Sequence, residues 1–325
     1  MTHNTVEPVR VQRVAVVGSG YMGGGIAQVL ALSGADVVLA DVDAERAATA
    51  RARLIEQAER FVADGLFDEG SVEILQQRLT AANSVEDAVV GADYVTEAVF
   101  ETREIKKEAL ARISAAASAE AIIATNTSAI PIGELAEFVD RPERFIGVHW
   151  MNPAPFIPGV ELIAGSQTSA QTVDVVEAFI RAAGKVPARV ADAPGFVANR
   201  LQFALYREAV KVVEEGLATP EQVDLVVSNT FGFRLALFGP FAIGDMAGLD
   251  VYAASYATLA TALGDRLDAP ASLTRLVEQG HLGLKSGEGF LAIDPSDVPQ
   301  LLAYRENAYH ALSALRRELG APPGL

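Results

Sequence analysis

VAVVGSGYMGGGIAQVLALSG, residues 14–34, decides how the rest of the chain is read. A Val-rich run of strand character leads directly into Gly18-Ser19-Gly20-Tyr21-Met22-Gly23, and an apolar helix, GIAQVLALSG, follows at once. Glycine at 18 permits the tight turn, at 20 it lets a pyrophosphate approach the backbone, and at 23 it lets helix and strand pack closely. The helix N-terminus then offers unpaired N–H groups to the phosphates. Asp41 closes the next apolar run, DVVLA at 36–40, where a carboxylate accepts hydrogen bonds from a ribose 2′-hydroxyl and repels a 2′-phosphate. NAD is favoured over NADP. FAD shares the fingerprint and is a lesser rival, because no second flavin-binding region is evident. Three glycines and an aspartate also describe a plain structural turn beside a surface acid; having strand, turn, helix and acid in register favours the dinucleotide site.

Outward from this stretch, apolar runs of strand length alternate with helical segments: YVTEAV at 94, AIIAT at 121, FIGVH at 145 and VELIA at 160. This rhythm predicts an α/β domain of the Rossmann type, a mostly parallel sheet with crossover helices, over residues 1–192. The charged segment 44–83, broken at Asp64-Gly65, predicts a hairpin of two helices projecting from the sheet. Ala191-Asp192-Ala193-Pro194-Gly195 marks a boundary, and from Phe196 onward the apolar residues recur at helical spacing. Residues 193–325 are therefore expected to form an all-α domain, its first helix closing near Gly216 and the next opening at Thr219-Pro220-Glu221 with a cap, a proline and an acid. The closing GAPPGL is expected to fray.

The chain has 325 residues, half of them hydrophobic and 21% charged, which suits two packed domains and excludes a disordered or fibrous protein. Its formal charge of −16 repels polyanions, so nucleic acid is not an expected partner. With no cysteine there is no disulfide framework, thiolate metal site or thiol nucleophile, which fits a cytoplasmic protein. The opening MTHNTVEPVRVQR carries a proline and charges where an export signal needs an apolar stretch. The uncharged run Val14 to Ala35 contains six glycines, suiting strand, turn and helix rather than a membrane span.

Four histidines are present: His3 in a terminal tail, His281 in a loop, His310 in the last helix, and His149 at the end of a strand. Ligands of such sheets bind beyond the carboxyl ends of the strands, so His149 alone is placed to meet a nicotinamide. Oxidising an alcohol requires a base for the hydroxyl proton, and imidazole titrates in the useful range. Glu161, across the loop WMNPAPFIPGV, begins the next run, where its carboxylate can hold the imidazole in one tautomer and stabilise the imidazolium. Asn126-Thr127-Ser128 follows the strand AIIAT on the same edge, and Asn199 sits in the first turn of the helix that opens the second domain. A substrate between the domains would meet Ser128 and Asn199. Each has a plainer reading too: His149 as a satisfied core residue, Ser128 and Asn199 as helix caps.

These residues resemble the L-3-hydroxyacyl-CoA dehydrogenase family over nearly the whole chain. GSGYMGGGIAQ, EAVFETREIKKEAL, ATNTSAI, GVHWMNP with Glu161, PGFVANRLQ and HLGLKSGEGF carry the likeness. The resemblance implies a Rossmann domain followed by a helical domain through which a homodimer forms. It also implies that His149 is the general acid/base with Glu161 as its partner, and that Ser128 and Asn199 hold the substrate oxygen. Asp41, Glu101, Lys106, Asn126 and Lys285 are implied contacts of NAD; without the motif, Glu101, Lys106 and Lys285 would read as surface charges. The implied reaction is reversible hydride transfer between C3 of an L-3-hydroxyacyl group and the nicotinamide.

Some positions depart from the family pattern. Members that handle coenzyme A carry a basic residue on the helical hairpin, where this chain has Asp64, with Gln57 at the other coenzyme A position. A carboxylate facing a phosphate is repulsive. Pro158 stands where the thioester-using pattern has lysine, and IPGVEL, NRLQFALYREAV and VDLVVSNTFGFR look more like relatives that oxidise free hydroxy acids such as L-gulonate and L-carnitine. GPFAIGDMAGLDVY and GHLGLKSGEGF resemble the coenzyme A branch, and Arg51, Arg53 or Arg60 could supply the missing charge. The thioester reading leads, the free-acid reading follows closely, and a non-catalytic crystallin-like NAD-binding protein is the remote third.

Overall fold

A computed structural model describes residues 11–323, so His3, the opening segment and the last two residues lie outside the described part. Val14 and Val16 pack into one core layer, Ala15 and Val17 into another, because successive side chains of a strand point to opposite faces. Both layers are fully or nearly fully buried, as required of a sheet covered by helices on its two sides.

The sheet domain runs β1 (Arg13–Val17), α1 (Tyr21–Leu32), β2 (Asp36–Ala40), α2 (Ala44–Ala63), α3 (Ser71–Arg78), β3 (Leu79–Ala81), α4 (Val85–Val89), β4 (Tyr94–Glu97), α5 (Arg103–Ala116), β5 (Ile122–Thr125), α6 (Ile132–Leu135), β6 (Phe145–Trp150), β7 (Gly159–Ala164), α7 (Ala170–Ala182) and β8 (Val186–Ala191). The order in the eight-stranded sheet is β3-β2-β1-β4-β5-β6-β7-β8. The chain reverses its direction of travel across the sheet between β1 and β4, which opens a crevice at their carboxyl ends. Every neighbouring pair is parallel except β6 and β7. The connection 151–158 contains no crossover helix and is too short for a parallel return, so the chain folds back as a hairpin.

The charged segment forms α2 and α3 with a break at Gly65, whose φ is +69°. Asp43 caps α2, accepting from the Arg46 amide at 2.8 Å. The helical reading of 44–83 fails at its end, where Leu79–Ala81 pairs with β2 as an edge strand. Three residues, LTA, with only Leu79 buried, carry too little pattern to announce a strand.

Contacts divide the chain into a unit ending at Leu205 and a unit beginning at Tyr206, so α8 (Ala198–Glu214), which follows the turn 191–195, belongs to both. The second unit is helical: α9 (Pro220–Asn229), α10 (Phe231–Leu235), α11 (Pro240–Ala247), α12 (Leu249–Leu263), α13 (Ala271–Glu278) and α14 (Val298–Leu319). Thr219 caps α9 by accepting from the Gln222 amide at 3.3 Å, with Pro220 in the first turn. Among the described residues no helix is long and apolar enough to cross a membrane.

The turn from β1 into α1 tolerates no side chain at Gly23, because a Cβ there would fall on the Gly18 carbonyl oxygen. Gly23→Ala should therefore cost about 1–3 kcal/mol, the range for overpacking a filled site. An unchanged urea midpoint in that variant would contradict the close packing described.

Candidate active site

At the carboxyl end of β1, Gly18 has φ +100°, and a Cβ would lie 2.6 Å from the Ala98 carbonyl oxygen, so only glycine makes this turn. Gly20 opens α1 without a side-chain cap, and a Cβ there would meet nothing within 4 Å. That open space lies on a cleft of about 1120 Å³ lined by Gly18, Gly20, Tyr21, Met22, Asp41, Glu101, Asn126 and Ser128, among others. Asp41 accepts from the amides of Ser19 and Val42, both at 2.8 Å, and from the Ser19 hydroxyl. Burial alone would raise its pKa, but these hydrogen bonds and the charge of Arg46 hold it below the ordinary carboxylate value. An open glycine backbone, a helix N-terminus and a fixed anion at the end of β2 fit an adenosine diphosphate moiety with a free 2′-hydroxyl.

His149 and Glu161 are directly opposed across the antiparallel β6–β7 pair. Nδ1 of the imidazole lies 2.8 Å from Glu161 Oε2, with His149 4% and Glu161 6% exposed. The other carboxylate oxygen accepts from the amides of Val197 and Ala198, at 3.0 and 2.9 Å, where α8 begins. Burial pushes the Glu161 pKa up, but the hydrogen bonds from His149, Ala198 and Val197 and the attraction of His149 outweigh it, leaving the value lowered. An ionised carboxylate only accepts, so Nδ1 carries the proton and Nε2 keeps its lone pair when the ring is neutral. Phe196 packs against the imidazole with ring centroids 5.7 Å apart, and holds a φ of +48°, unusual for a bulky side chain.

A second buried network lies at the carboxyl ends of β4 and β5. Lys106, fully buried, donates to both oxygens of Glu97 at 2.8 and 3.1 Å and pairs with Glu101 at 3.2 Å. Glu97 also accepts from the Thr125 hydroxyl at 2.6 Å and the Val99 amide at 2.8 Å. Glu101 accepts from the Thr127 hydroxyl at 2.6 Å and from the amides of Ser128 and Ala129 at 2.8 and 3.1 Å. Its pKa, pushed up by burial, ends below the ordinary value because of Thr127, the Lys106 charge and the Ser128 amide.

The sheet unit thus gathers most of the expected site residues. Asn126 accepts from the Trp150 amide at 2.9 Å, and Asn199 donates to the Ser128 carbonyl at 2.8 Å, which ties the start of α8 to the loop after β5. Gly23 lies buried beneath the turn, and Lys106 has no exposed surface, so its ammonium reaches the cleft only through Glu101. Lys285 belongs to the helical unit, where it pairs with Asp250 at 2.8 Å. Sequence reasoning missed Glu97 and Phe196. A carboxylate closing an otherwise apolar strand, YVTE, nine residues before a lysine, was the available signal for Glu97.

An alternating sheet with a nucleotide crevice at its switch point and a histidine–carboxylate pair on the same edge defines a dinucleotide-dependent oxidoreductase. The profile of the 3-hydroxyacyl-CoA dehydrogenase NAD binding domain matches residues 13–193, and that of the 3-hydroxyacyl-CoA dehydrogenase C-terminal domain matches 195–293. The chain belongs to the 3-hydroxyacyl-CoA dehydrogenase family, and its sheet unit is that family's NAD-binding domain. It is 39% identical to the 5-formyl-3-hydroxy-2-methylpyridine 4-carboxylate 5-dehydrogenase of Mesorhizobium japonicum, over 95% of this chain and 98% of that protein. With a probable 3-hydroxybutyryl-CoA dehydrogenase of Deinococcus radiodurans it shares 37% identity over 86% of this chain and 99% of the other. The crystal structure of a 3-hydroxyacyl-CoA dehydrogenase from Archaeoglobus fulgidus superimposes with a TM-score of 0.75 at 32% identity, covering 95% of this chain and 99% of that one.

The lowered pKa of Glu161 has a consequence for acid stability. Unfolded, the group titrates near 4.5; folded, it titrates lower, so its contribution is complete above 4.5 and is lost as pH falls through the folded value. Glu161→Gln removes that contribution, and its stability should decline less steeply than the wild type's on acidification below this point. Urea unfolding over a pH series checks this, and parallel curves for the two proteins would contradict it.

Proposed function

We propose that the protein oxidises the hydroxyl of a 3-hydroxyacyl substrate to the 3-oxo product with NAD, using His149 as general base and Glu161 as its partner. The observation that carries this reading is the buried 2.8 Å contact between the imidazole and an ionised carboxylate at the carboxyl edge of β6. Nε2 takes the hydroxyl proton, and Glu161 stabilises the imidazolium that forms. NAD held along the cleft by Gly18, Gly20, Asp41 and Asn126 would supply the hydride acceptor for the oxidation of that carbinol carbon. Ser128 and Asn199, linked to each other at 2.8 Å, are assigned to hold the substrate oxygen. Asp41 is assigned to the adenosine ribose, and Glu101 and Asn126, which line the cleft, to the nicotinamide side. Gly18, Gly20, Tyr21, Met22 and Gly23 form the phosphate turn; of the two lysines that the resemblance implies for NAD, Lys106 is assigned to act through Glu101, and Lys285 is kept as an implied contact. Under this assignment the domain division falls at 192/193, and the cytoplasm fits a chain without cysteine.

A second reading, a free hydroxy acid in place of the thioester, is favoured by the hairpin. Asp64 is exposed at the end of α2, and Gln57 lies 3.4 Å from the amide of Gln28. The arginines that would replace a missing basic residue are engaged: Arg51 with the Gln76 carbonyl at 2.9 Å, Arg53 with the Ser19 carbonyl at 2.9 Å, and Arg60 with Glu56 at 3.6 Å. The Mesorhizobium relative is named for a pyridine carboxylate. NADH formation with 3-hydroxybutyryl-CoA and with free 3-hydroxy acids separates the two: the first reading expects turnover of the thioester, and turnover of the acid alone overturns it in favour of the second. With whichever substrate is active, His149→Gln should lower kcat about 10²- to 10⁴-fold while leaving NADH binding unchanged. A variant with wild-type kcat would remove the assigned base.

The helical unit supports a homodimer. Helices α8, α9, α10 and α14 bury no residue, while Tyr206, Leu225, Val226, Phe241 and Tyr304 are more than half exposed. Helices of this length gain most of their stability from an apolar face packed against a partner. Light scattering should give twice the 34.3 kDa chain mass, and a monomer at micromolar concentration would contradict the pairing.

A further inference from the structure

Lys185 lies in the turn between α7 and β8 and is 8% exposed. Among the described residues no carboxylate pairs with it. Its ammonium instead donates to three backbone carbonyls, those of Ala154 at 2.6 Å, Pro155 at 3.1 Å and Ile157 at 2.9 Å. The next residue continues the pattern, the Val186 amide donating to the Pro158 carbonyl at 2.8 Å. Two consecutive residues therefore hold four carbonyls of a single loop.

That loop, 151–158, joins the strand of His149 to the strand of Glu161. It is braced on other sides as well. Gly25 of α1 faces it so closely that a Cβ would lie 3.1 Å from Pro155 and 3.3 Å from Ala154. Phe156 packs edge-on against Phe61 of α2 with centroids 5.2 Å apart. With its carbonyls turned toward Lys185, the loop leaves Phe156 and Ile157, on the connection that follows β6, 42% and 36% exposed. A buried cation without a counter-ion is costly, and methionine would fill the same length without that cost. The burial that lowers the Lys185 pKa reflects this penalty. What the ammonium offers, and methionine does not, is three donors for three carbonyls.

We propose that Lys185 is a positioning residue for the oxidation: it fixes the backbone of 151–158 so that Phe156 and Ile157 form an immobile apolar wall beside His149, on which the substrate's carbon chain is seated. The proposal rests on the reading of His149 as the base, and it makes the wall act on the hydroxy substrate rather than on NAD.

The chain's only tryptophan, Trp150, reports on the same place, for it is 2% exposed and its ring centroid lies 5.8 Å from the Lys185 ammonium. Lys185→Met should bind NADH with affinity within about twofold of wild type, yet lose on the order of ten- to a hundredfold in kcat/KM for the hydroxy substrate, most of it in KM. Acrylamide quenching of Trp150 should rise in the same variant. Because the chain has no cysteine, Lys185→Cys introduces a single thiol. Alkylating it with 2-bromoethylamine in denaturant and refolding rebuilds an ammonium of lysine's reach, which should restore both KM and quenching, whereas iodoacetamide should restore neither. Should Lys185→Met not fold, Lys185→Arg, whose guanidinium shifts the donors outward, is expected to raise KM in the same way. Wild-type kcat/KM in the folded variants, a loss that only follows NADH affinity, or an aminoethylated protein that regains the wild-type melting temperature without KM would each overturn the proposal. A wild type inactive on every hydroxy substrate would instead strike the proposed function; unchanged Trp150 quenching in Lys185→Met would then still overturn the positioning role.

Discussion

The carboxylate of Glu161 joins three parts of the sheet unit at once. One oxygen meets the imidazole of His149 on the neighbouring strand, and the other takes two amides at the start of α8. The tight antiparallel return pairs the two residues in register, and cross-strand partners in register project to the same face of the sheet. The single reversed strand pair in an otherwise parallel sheet is thus the constraint on which the proposed proton transfer depends. Phe196, with its left-handed backbone, closes over the imidazole immediately before the two amides that hold Glu161. A bulky residue persists in that conformation only where surrounding contacts determine it.

The Glu97–Lys106–Glu101 network does comparable work on the cofactor side. A fully buried lysine between two carboxylates is supported here by further donors to those carboxylates, from Thr125, Thr127 and the amides of Val99, Ser128 and Ala129. Its effect is to fix the loops after β4 and β5, which carry Glu101, Asn126 and Ser128 to the cleft. The Asp41 carboxylate performs the same service at the end of β2, where the amides of Ser19 and Val42 fix it.

Much of this was legible in the sequence because it is local. Gly18, Gly20 and Gly23 announce a turn whose sterics admit nothing larger at 18 and 23, and the alternating apolar runs announce the strands. His149 was found by elimination among four histidines, on the rule that ligands bind at the carboxyl edge. What stayed hidden was set by contacts distant in sequence. Leu79–Ala81 is a strand only because β2 offers an open edge, and nothing in LTA says so. Lys106 reads as a surface charge in a charged helix until Glu97 and Glu101 are brought around it. Lys185 likewise looks like an ordinary helix-terminal lysine, although the three carbonyls that receive it lie about thirty residues away.

The central claim is that Glu161 holds the His149 ring with its proton on Nδ1, leaving Nε2 free to accept one from a substrate hydroxyl. Nitrogen-15 NMR of histidine-labelled protein tests it directly, since four histidines give a small set of signals and the His149→Gln variant identifies the one of interest. The account predicts, for the neutral ring, a protonated Nδ1 and an unprotonated Nε2 whose signal moves when a hydroxy substrate analogue binds. An Nε2–H tautomer for His149, unaffected by such a ligand, would contradict it.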